Sequence, residues 1–319
     1  MRIEHVTFPS GAVHCAGDLY LPGGLKQGTT VPGVVMGHSV VMVKEALRPH
    51  AEYLVRAGFA VLGIDYRTIG SSEGEPRCQW IPEWQVADMR AGVSYLTARA
   101  EVDSGRVGVW GHSTAAGVAI MAGALDRRIA GVACQNPSML DAWAAVEKTR
   151  GRAQMGMVRT LLQQDFERRL QTGEGASVPA IPSDDPRLGG YVAQAEELFP
   201  TFKNQMTLES MEHVLLWAPV NFIHRLAPTP LLMVTGVDDQ VHAIDEVLSA
   251  YDRAWQPKRL ELLQVDEFGL SIEPGLGQSM NLAVGFFDQY LRREPRFVPS
   301  PAPDEARSRG LRPEYRKVS

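Results

Sequence analysis

Residues 106–113 read Arg-Val-Gly-Val-Trp-Gly-His-Ser and run as an apolar strand straight into a helical pattern that starts at Thr114. A serine at such a junction sits on a tight, strained turn, with Oγ lifted above the end of the strand and the backbone N–H of the next residue aimed at the same point. That turn needs small neighbours, and Gly111 and Ala115 supply them, with Ala116 and Gly117 continuing the close packing. A lone serine ahead of a helix also serves as an ordinary N-cap, so the surrounding pattern has to decide between the two roles.

The pattern is that of a parallel sheet. Residues 3–8 and 13–21 read as two antiparallel strands turning at Ser10-Gly11. Continuous apolar runs at 31–36, 61–64, 107–110, 129–133 and 231–234 have the character of strands buried on both faces. Helical patterns at 44–57, 83–99, 114–125, 244–255 and 279–292 alternate with them, which predicts a doubly wound, mostly parallel α/β core over 1–136 and 228–293. The interval 137–227 has no clean strand, and a helical stretch at 139–164 is followed by the Gly-, Pro-, Ser- and Asp-rich loop 172–190; this reads as an inserted helical cap. Met139, Met155, Met157, Met206 and Met211 in that cap suit an adaptable apolar lid over a pocket, although core filling is the commoner use of methionine. Residues 294–319, rich in Pro and Arg and without periodicity, read as an arm lying on the surface or on a partner subunit, and a homo-oligomer is compatible with the sequence.

Composition narrows the partners. A net charge of −5 offers no field that would gather nucleic acid or an anionic membrane. The first residues contain Arg2 and Glu4 rather than a secretory apolar run, and no stretch reaches the ~18 residues needed to cross a bilayer. Cys15, Cys78 and Cys134 are odd in number and widely spaced, which fits reduced core thiols in a cytoplasmic protein better than a disulfide framework or a zinc site. With no Gly-rich phosphate loop followed by Lys-Ser/Thr and no metal-ligand spacing, neither a cofactor nor a metal is expected.

Several segments together resemble one family. They are Gly33-Val34-Val35-Met36-Gly37-His38-Ser39 with Lys44-Glu45, Asp65-Tyr66-Arg67 followed by residues 70–77, the turn at Ser113, and Pro228-Thr229-Pro230-Leu231-Leu232-Met233-Val234 ahead of Asp238-Asp239. The chain, over about residues 6–294, resembles the dienelactone-hydrolase-related branch of the α/β hydrolases, which includes polyketide-pathway hydrolases and acyltransferases. That resemblance implies an α/β-hydrolase fold, a serine nucleophile at Ser113, and an oxyanion hole built from the N–H of Thr114 and from the loop at His38, Ser39 and Val40. In the family this loop reads Gly-His-Gly, so Ser39 is a departure that reshapes it. The family orders its triad Ser, Asp, His along the chain, and the acid falls in the turn after the late strand, at Asp239 with Asp238 as second choice. An Asx turn or a cap for the helix at Ile244 is the structural alternative for Asp239.

The triad histidine is not at the position the resemblance gives it. After the last strand, residues 260–263, the family has a Gly-Gly-His-Phe type of turn, whereas this chain has Val265-Asp266-Glu267-Phe268, which puts Glu267 on the histidine position. A glutamate is about two pKa units more acidic than a histidine, so as a direct base it would lose up to roughly 3 kcal/mol of driving force for deprotonating Ser113. Facing Asp239 instead, it could share a proton as an acid/base pair. The leading expectation is therefore a non-hydrolytic lyase, isomerase or cyclase, with Glu267 moving the proton, Ser113 donating a hydrogen bond, and the oxyanion hole holding an enolate of a small carbonyl-containing secondary metabolite. Two further readings stay open: an esterase, thioesterase or acyltransferase acting through acylated Ser113, and an inactive binding protein that keeps the pocket. The partner in each case is a small, partly apolar molecule beneath the cap.

The remaining histidines and charges have quieter readings. His242, three residues past Asp239, lies close enough to the pocket mouth to restore hydrolysis in place of the missing histidine, with a surface loop histidine as the commoner reading; His112 reads as structural. His38 either touches the ligand or fixes its loop. Arg67 reads as a structural salt-bridge partner, and Arg150, Arg152, Arg159, Arg168 and Arg169 as a solvated face of the cap.

Overall fold

The computed structural model describes residues 1–184, 186–266, 268–292 and 316–318. The chain opens with the antiparallel pair β1 (Arg2–Ser10) and β2 (Val13–Leu21), in which Ser10 faces Val13 across the turn at Gly11. There follow β3 (Val31–Gly37), α1 (Arg48–Arg56), β4 (Ala60–Ile64), α2 (Pro82–Thr97), β5 (Val102–His112), α3 (Thr114–Leu125) and β6 (Ile129–Gln135). After the interval between β6 and β9 come β9 (Leu231–Gly236), α7 (Ile244–Arg253), β10 (Lys258–Leu263) and α8 (Gly275–Leu291). The strand order is β1-β2-β4-β3-β5-β6-β9-β10, with β2 antiparallel to β4 and every later pairing parallel. This is the α/β-hydrolase fold, and the continuous apolar runs of the sequence are its central strands.

Those strands are apolar throughout because helices cover both faces. Val86 and Met89 of α2, Ala115 to Ala122 of α3 and Val247 and Ala250 of α7 pack with Val35, Val109 and Met233 on one side. Leu54 of α1 and Met280, Phe286 and Phe287 of α8 pack with Val34, Trp110 and Val234 on the other. Successive side chains of one strand thus feed opposite layers. The single helix expected over 44–57 is split: a 3-10 turn at Lys44–Leu47 precedes α1, where Pro49 has no N–H to offer a preceding carbonyl and so begins a helix rather than continuing one.

The interval between β6 and β9 holds α4 (Ala142–Thr172), β7 (Ser177–Val178), α5 (Pro186–Leu198), β8 (Met206–Thr207) and α6 (Leu208–Leu215). Two details correct the sequence expectation. α4 is interrupted at Gly151, whose φ of 77° and ψ of 161° lie outside the helical region, and a short antiparallel ribbon of β7 with β8 stands where no strand was expected. Of the arm at 294–319, only 316–318 lie among the described residues, and they run parallel to β10 as β11 (Arg316–Val318). No helix among the described residues is long and apolar enough to cross a membrane.

Candidate active site

The strand β5 delivers Ser113 onto a turn that only a particular sequence allows. A Cβ at Gly111 would lie 2.1 Å from the carbonyl oxygen of Ala115, so the position excludes every side chain. Ser113 itself has φ 56° and ψ −118°, a region that L-residues seldom occupy. The backbone holds it there: its N–H donates to the Gln135 carbonyl at 2.9 Å, and its own carbonyl accepts from Ala116 N at 3.0 Å and Ser138 N at 3.3 Å. The N-cap alternative fails, since the Ser113 side chain makes no capping hydrogen bond to α3. Its Oγ is instead 3.1 Å from Nε2 of His242 and 3.0 Å from Oγ of Ser138.

His242 and Asp239 come from one loop, between β9 and α7. The Asp239 carboxylate closes an Asx-type turn: Oδ1 accepts from the N–H groups of Val241 at 2.8 Å and His242 at 2.6 Å, while Oδ2 accepts from His242 Nδ1 at 2.7 Å. Burial pushes the Asp239 carboxyl up, but the His242 ring and the two backbone donors outweigh it and hold the group below the usual carboxylate range. Asp239 caps this turn rather than α7, whose N-cap is Ala243 and has no side-chain bond.

This arrangement overturns the expectation that the serine lacks a histidine. The imidazole three residues past Asp239 is not a surface side chain: it is 11% exposed and connects the acid to Ser113. Glu267, expected to face Asp239, lies outside the described residues; the oxygens of Asp239 bind His242 and the turn that carries it. A histidine in the acid's own loop thus reaches the serine from a different starting point than the turn after the last strand.

The loop after β3 emerges beside the turn at Ser113, because Gly37 and Gly111 are register partners. His38 is buried; its Nδ1–H donates to the Ser39 carbonyl at 2.8 Å, and burial pulls its pKa down to about 4. It is therefore neutral, so its 3.8 Å approach to Asp65 is not an ion pair. Of the two roles weighed for His38, the observed bond serves the second, fixing the loop. Met42 N donates back to the carbonyls of Ser39 at 3.1 Å and Val40 at 2.6 Å around Val41, which has φ 44°. Thr114 heads α3, where an N–H has no acceptor within the helix.

The interval between β6 and β9 meets this same loop. Val41, Met42 and Val43 pack with Ile181 and Phe202 and with Val192 and Ala195 of α5. Tyr191 of α5 stacks on Phe268 with ring centroids 5.5 Å apart; burial pushes its hydroxyl up to about 12, against a smaller downward pull from the Ser39 side chain. The methionines divide: Met206 is in the main core with Met139 and Met211 packed against it, while Met157 is 72% exposed and faces away. Arg169 is not part of a solvated face, since it binds Asp165 at 3.0 Å, Glu209 at 3.1 Å and Glu212 at 2.7 Å; Arg150, Arg152, Arg159 and Arg168 are exposed. Arg67 makes its structural bond, to Asp88 at 2.6 Å.

Two residues of the site had no prior signal in the sequence. Ser138 follows Pro137 in a loop with no motif, and its closeness to Ser113 arises only when β5 and β6 pair. Tyr191 sits in a helix whose sequence gives no hint of which sheet loop it will cover.

Known proteins resemble this chain throughout. It is 27% identical to polyketide transferase claH of Penicillium crustosum over 86% of this chain and 93% of that protein. It is 29% identical to thiohydrolase aneE of Aspergillus aculeatus over 72% of this chain and 76% of that protein. The crystal structure of the α/β hydrolase GrgF from Penicillium sp. sh18 superposes with a TM-score of 0.77 at 20% identity, covering 92% of this chain and all of that one. The X-Pro dipeptidyl-peptidase (S15 family) model matches residues 11–266, and the chain belongs to that family of α/β hydrolases.

Proposed function

We propose that this protein is a serine-nucleophile acyl-transfer enzyme that takes an acyl group from a partly apolar ester or thioester onto Ser113 and passes it to water or to a second acceptor. The observation that carries this reading is His242, bonded through Nδ1 to Asp239 at 2.7 Å and through Nε2 to Ser113 at 3.1 Å. Asp239 keeps the proton on Nδ1, so the Nε2 lone pair faces the hydroxyl. As Oγ attacks the acyl carbonyl, its proton moves to Nε2 and the carbonyl electrons move onto oxygen. The N–H of Thr114 and those of the Ser39-Val40 loop would receive that oxyanion. Collapse expels the alcohol or thiol, which leaves with the proton held on Nε2; the acceptor then repeats the steps in reverse.

The relatives named above are a polyketide transferase and a thiohydrolase, and transfer to an acceptor and hydrolysis are the two fates open to an acylated Ser113. The contact of His242 with Ser113 favours acyl transfer over the alternative in which Glu267 shuttles a proton to make a lyase, isomerase or cyclase. Free thiols at Cys15, Cys78 and Cys134 support a reducing, cytoplasmic setting.

The test is labelling with a fluorophosphonate together with turnover of acyl thioesters of graded chain length. The reading expects one labelled site, lost in Ser113→Ala and in His242→Ala, and turnover lost with it. Turnover that survives Ser113→Ala would rule it out.

A further inference from the structure

We propose that Ser138 is a second hydroxyl of the catalytic machinery, donating its proton to Ser113 Oγ and so stabilising the nucleophile as it loses its own; this rests on the acyl-transfer reading above. The donor is settled by counting protons. The Asp239 carboxylate can only accept, so the 2.7 Å contact places a hydrogen on His242 Nδ1. In the neutral ring that acts as a base, Nε2 then has a lone pair, and Ser113 must donate across the 3.1 Å contact. Ser113 has one hydroxyl hydrogen, now committed. The 3.0 Å contact between the two serine oxygens therefore has Ser138 as donor and Ser113 as acceptor.

The placement is built rather than incidental. Ser138 N donates to the Ser113 carbonyl at 3.3 Å, so the two residues are joined by backbone as well as by side chain. On one side Asn136 is tied to β9, through its N–H to the Val234 carbonyl at 2.8 Å and its Oδ1 to Gly236 N at 3.2 Å. On the other, Asp141 N donates to Glu246 Oε1 at 2.9 Å. None of these anchors uses the Ser138 hydroxyl, which leaves it to the nucleophile.

The energetic effect appears where charge appears. A hydroxyl bonded to a neutral oxygen contributes little, while the same bond to an oxygen gaining negative charge shortens and strengthens. The difference is realised on the way to the transition state, which is where it accelerates the reaction. Once Ser113 is acylated its Oγ is an ester oxygen and a poorer acceptor, and on deacylation it again gains charge as it leaves. Ser138 thus acts in both halves of the cycle and does not bias the choice of acceptor.

The experiment uses the full chain and a fluorophosphonate, which needs an activated serine but no knowledge of the substrate. The second-order labelling rate against pH is measured for the wild type, Ser138→Ala and Ser138→Thr, with Ser113→Ala as the blank. Ser138→Ala is expected to lower the plateau rate about tenfold, the lower end of what a hydrogen bond to a charged group gives. Ser138→Thr, which retains a hydroxyl, should stay within about threefold of the wild type, and the acid-side midpoint should not move in either variant, because Ser138 touches Ser113 and not His242. A rate in Ser138→Ala equal to or above the wild type overturns the proposal. So does a loss shared equally by the Ala and Thr variants or accompanied by a shifted midpoint, since either assigns Ser138 to holding the loop. No labelling of the wild type overturns the acyl-transfer reading itself, and this proposal with it.

Discussion

His242 reaches Ser113 from the same loop that holds its acid, with Nδ1 2.7 Å from Oδ2 of Asp239 only three residues earlier. The local turn and the hydrogen bond that orients the imidazole are therefore one structure: Asp239 Oδ1 binds the His242 backbone N–H while Oδ2 binds its ring. Asp239→Asn keeps the size of the side chain but offers an amide hydrogen where the ring needs an acceptor, which favours the wrong tautomer. Turnover is expected to fall by about three to four orders of magnitude. The fold should survive, because an asparagine oxygen can still accept from Val241 and His242 N–H. Parallel measurement of kcat/KM and thermal midpoint checks both halves.

Glu267→Gln separates the sequence expectation from the observed site. If Glu267 carried the proton, the neutral amide would abolish activity. With His242 already between Asp239 and Ser113, labelling and thioester turnover in Glu267→Gln should stay within about threefold of the wild type, whereas His242→Ala should lose about three orders of magnitude or more.

The contrast shows what a sequence can reveal of such a site. The sheet was legible because strands buried on both faces must be apolar throughout, and the turn at Ser113 was legible because its backbone admits only small neighbours. Asp239 was legible as a position relative to β9. His242 was visible as a candidate but ranked below a surface reading: a histidine in a polar loop carries no periodic signal, and which way it points depends on the Asx-type turn closed by Asp239. Ser138 and Tyr191 were not legible at all, since each acquires its partner only through the pairing of distant segments.

The strain at Ser113 makes stability and function oppose each other. With φ 56° and ψ −118°, the residue occupies a conformation that glycine adopts readily. Ser113→Gly should abolish labelling yet leave the protein as stable as the wild type or more stable by about 1 kcal/mol. Gly111→Ala is the converse case: its new Cβ would stand 2.1 Å from the Ala115 carbonyl oxygen, and that backbone cannot move without shifting α3. A loss of about 3 kcal/mol or more, or failure to fold, is expected on denaturant titration.

Acid should destabilise the fold through His50. This buried ring accepts from Gln135 Nε2 at 3.2 Å, and the other hydrogen of that amide goes to the Leu270 carbonyl at 3.0 Å. His50 Nε2 therefore has the lone pair and faces a donor, so a second ring proton would oppose an N–H in a buried site. Burial pulls its pKa down to about 4, against about 6.5 in the unfolded chain. Between those values the unfolded state binds the extra proton, so the contribution is fully present above pH ~6.5 and is lost as the pH falls toward ~4. From pH 7 to pH 5 the loss from this group is roughly 2 kcal/mol. His38, pulled down to about 4 by the same cause, adds a loss in the same window. Urea midpoints at pH 7 and pH 5 for the wild type and His50→Gln should show a smaller acid-side decline in the variant, even if its stability at pH 7 is lower; an equal decline would mean that His50 takes up its proton without opposition.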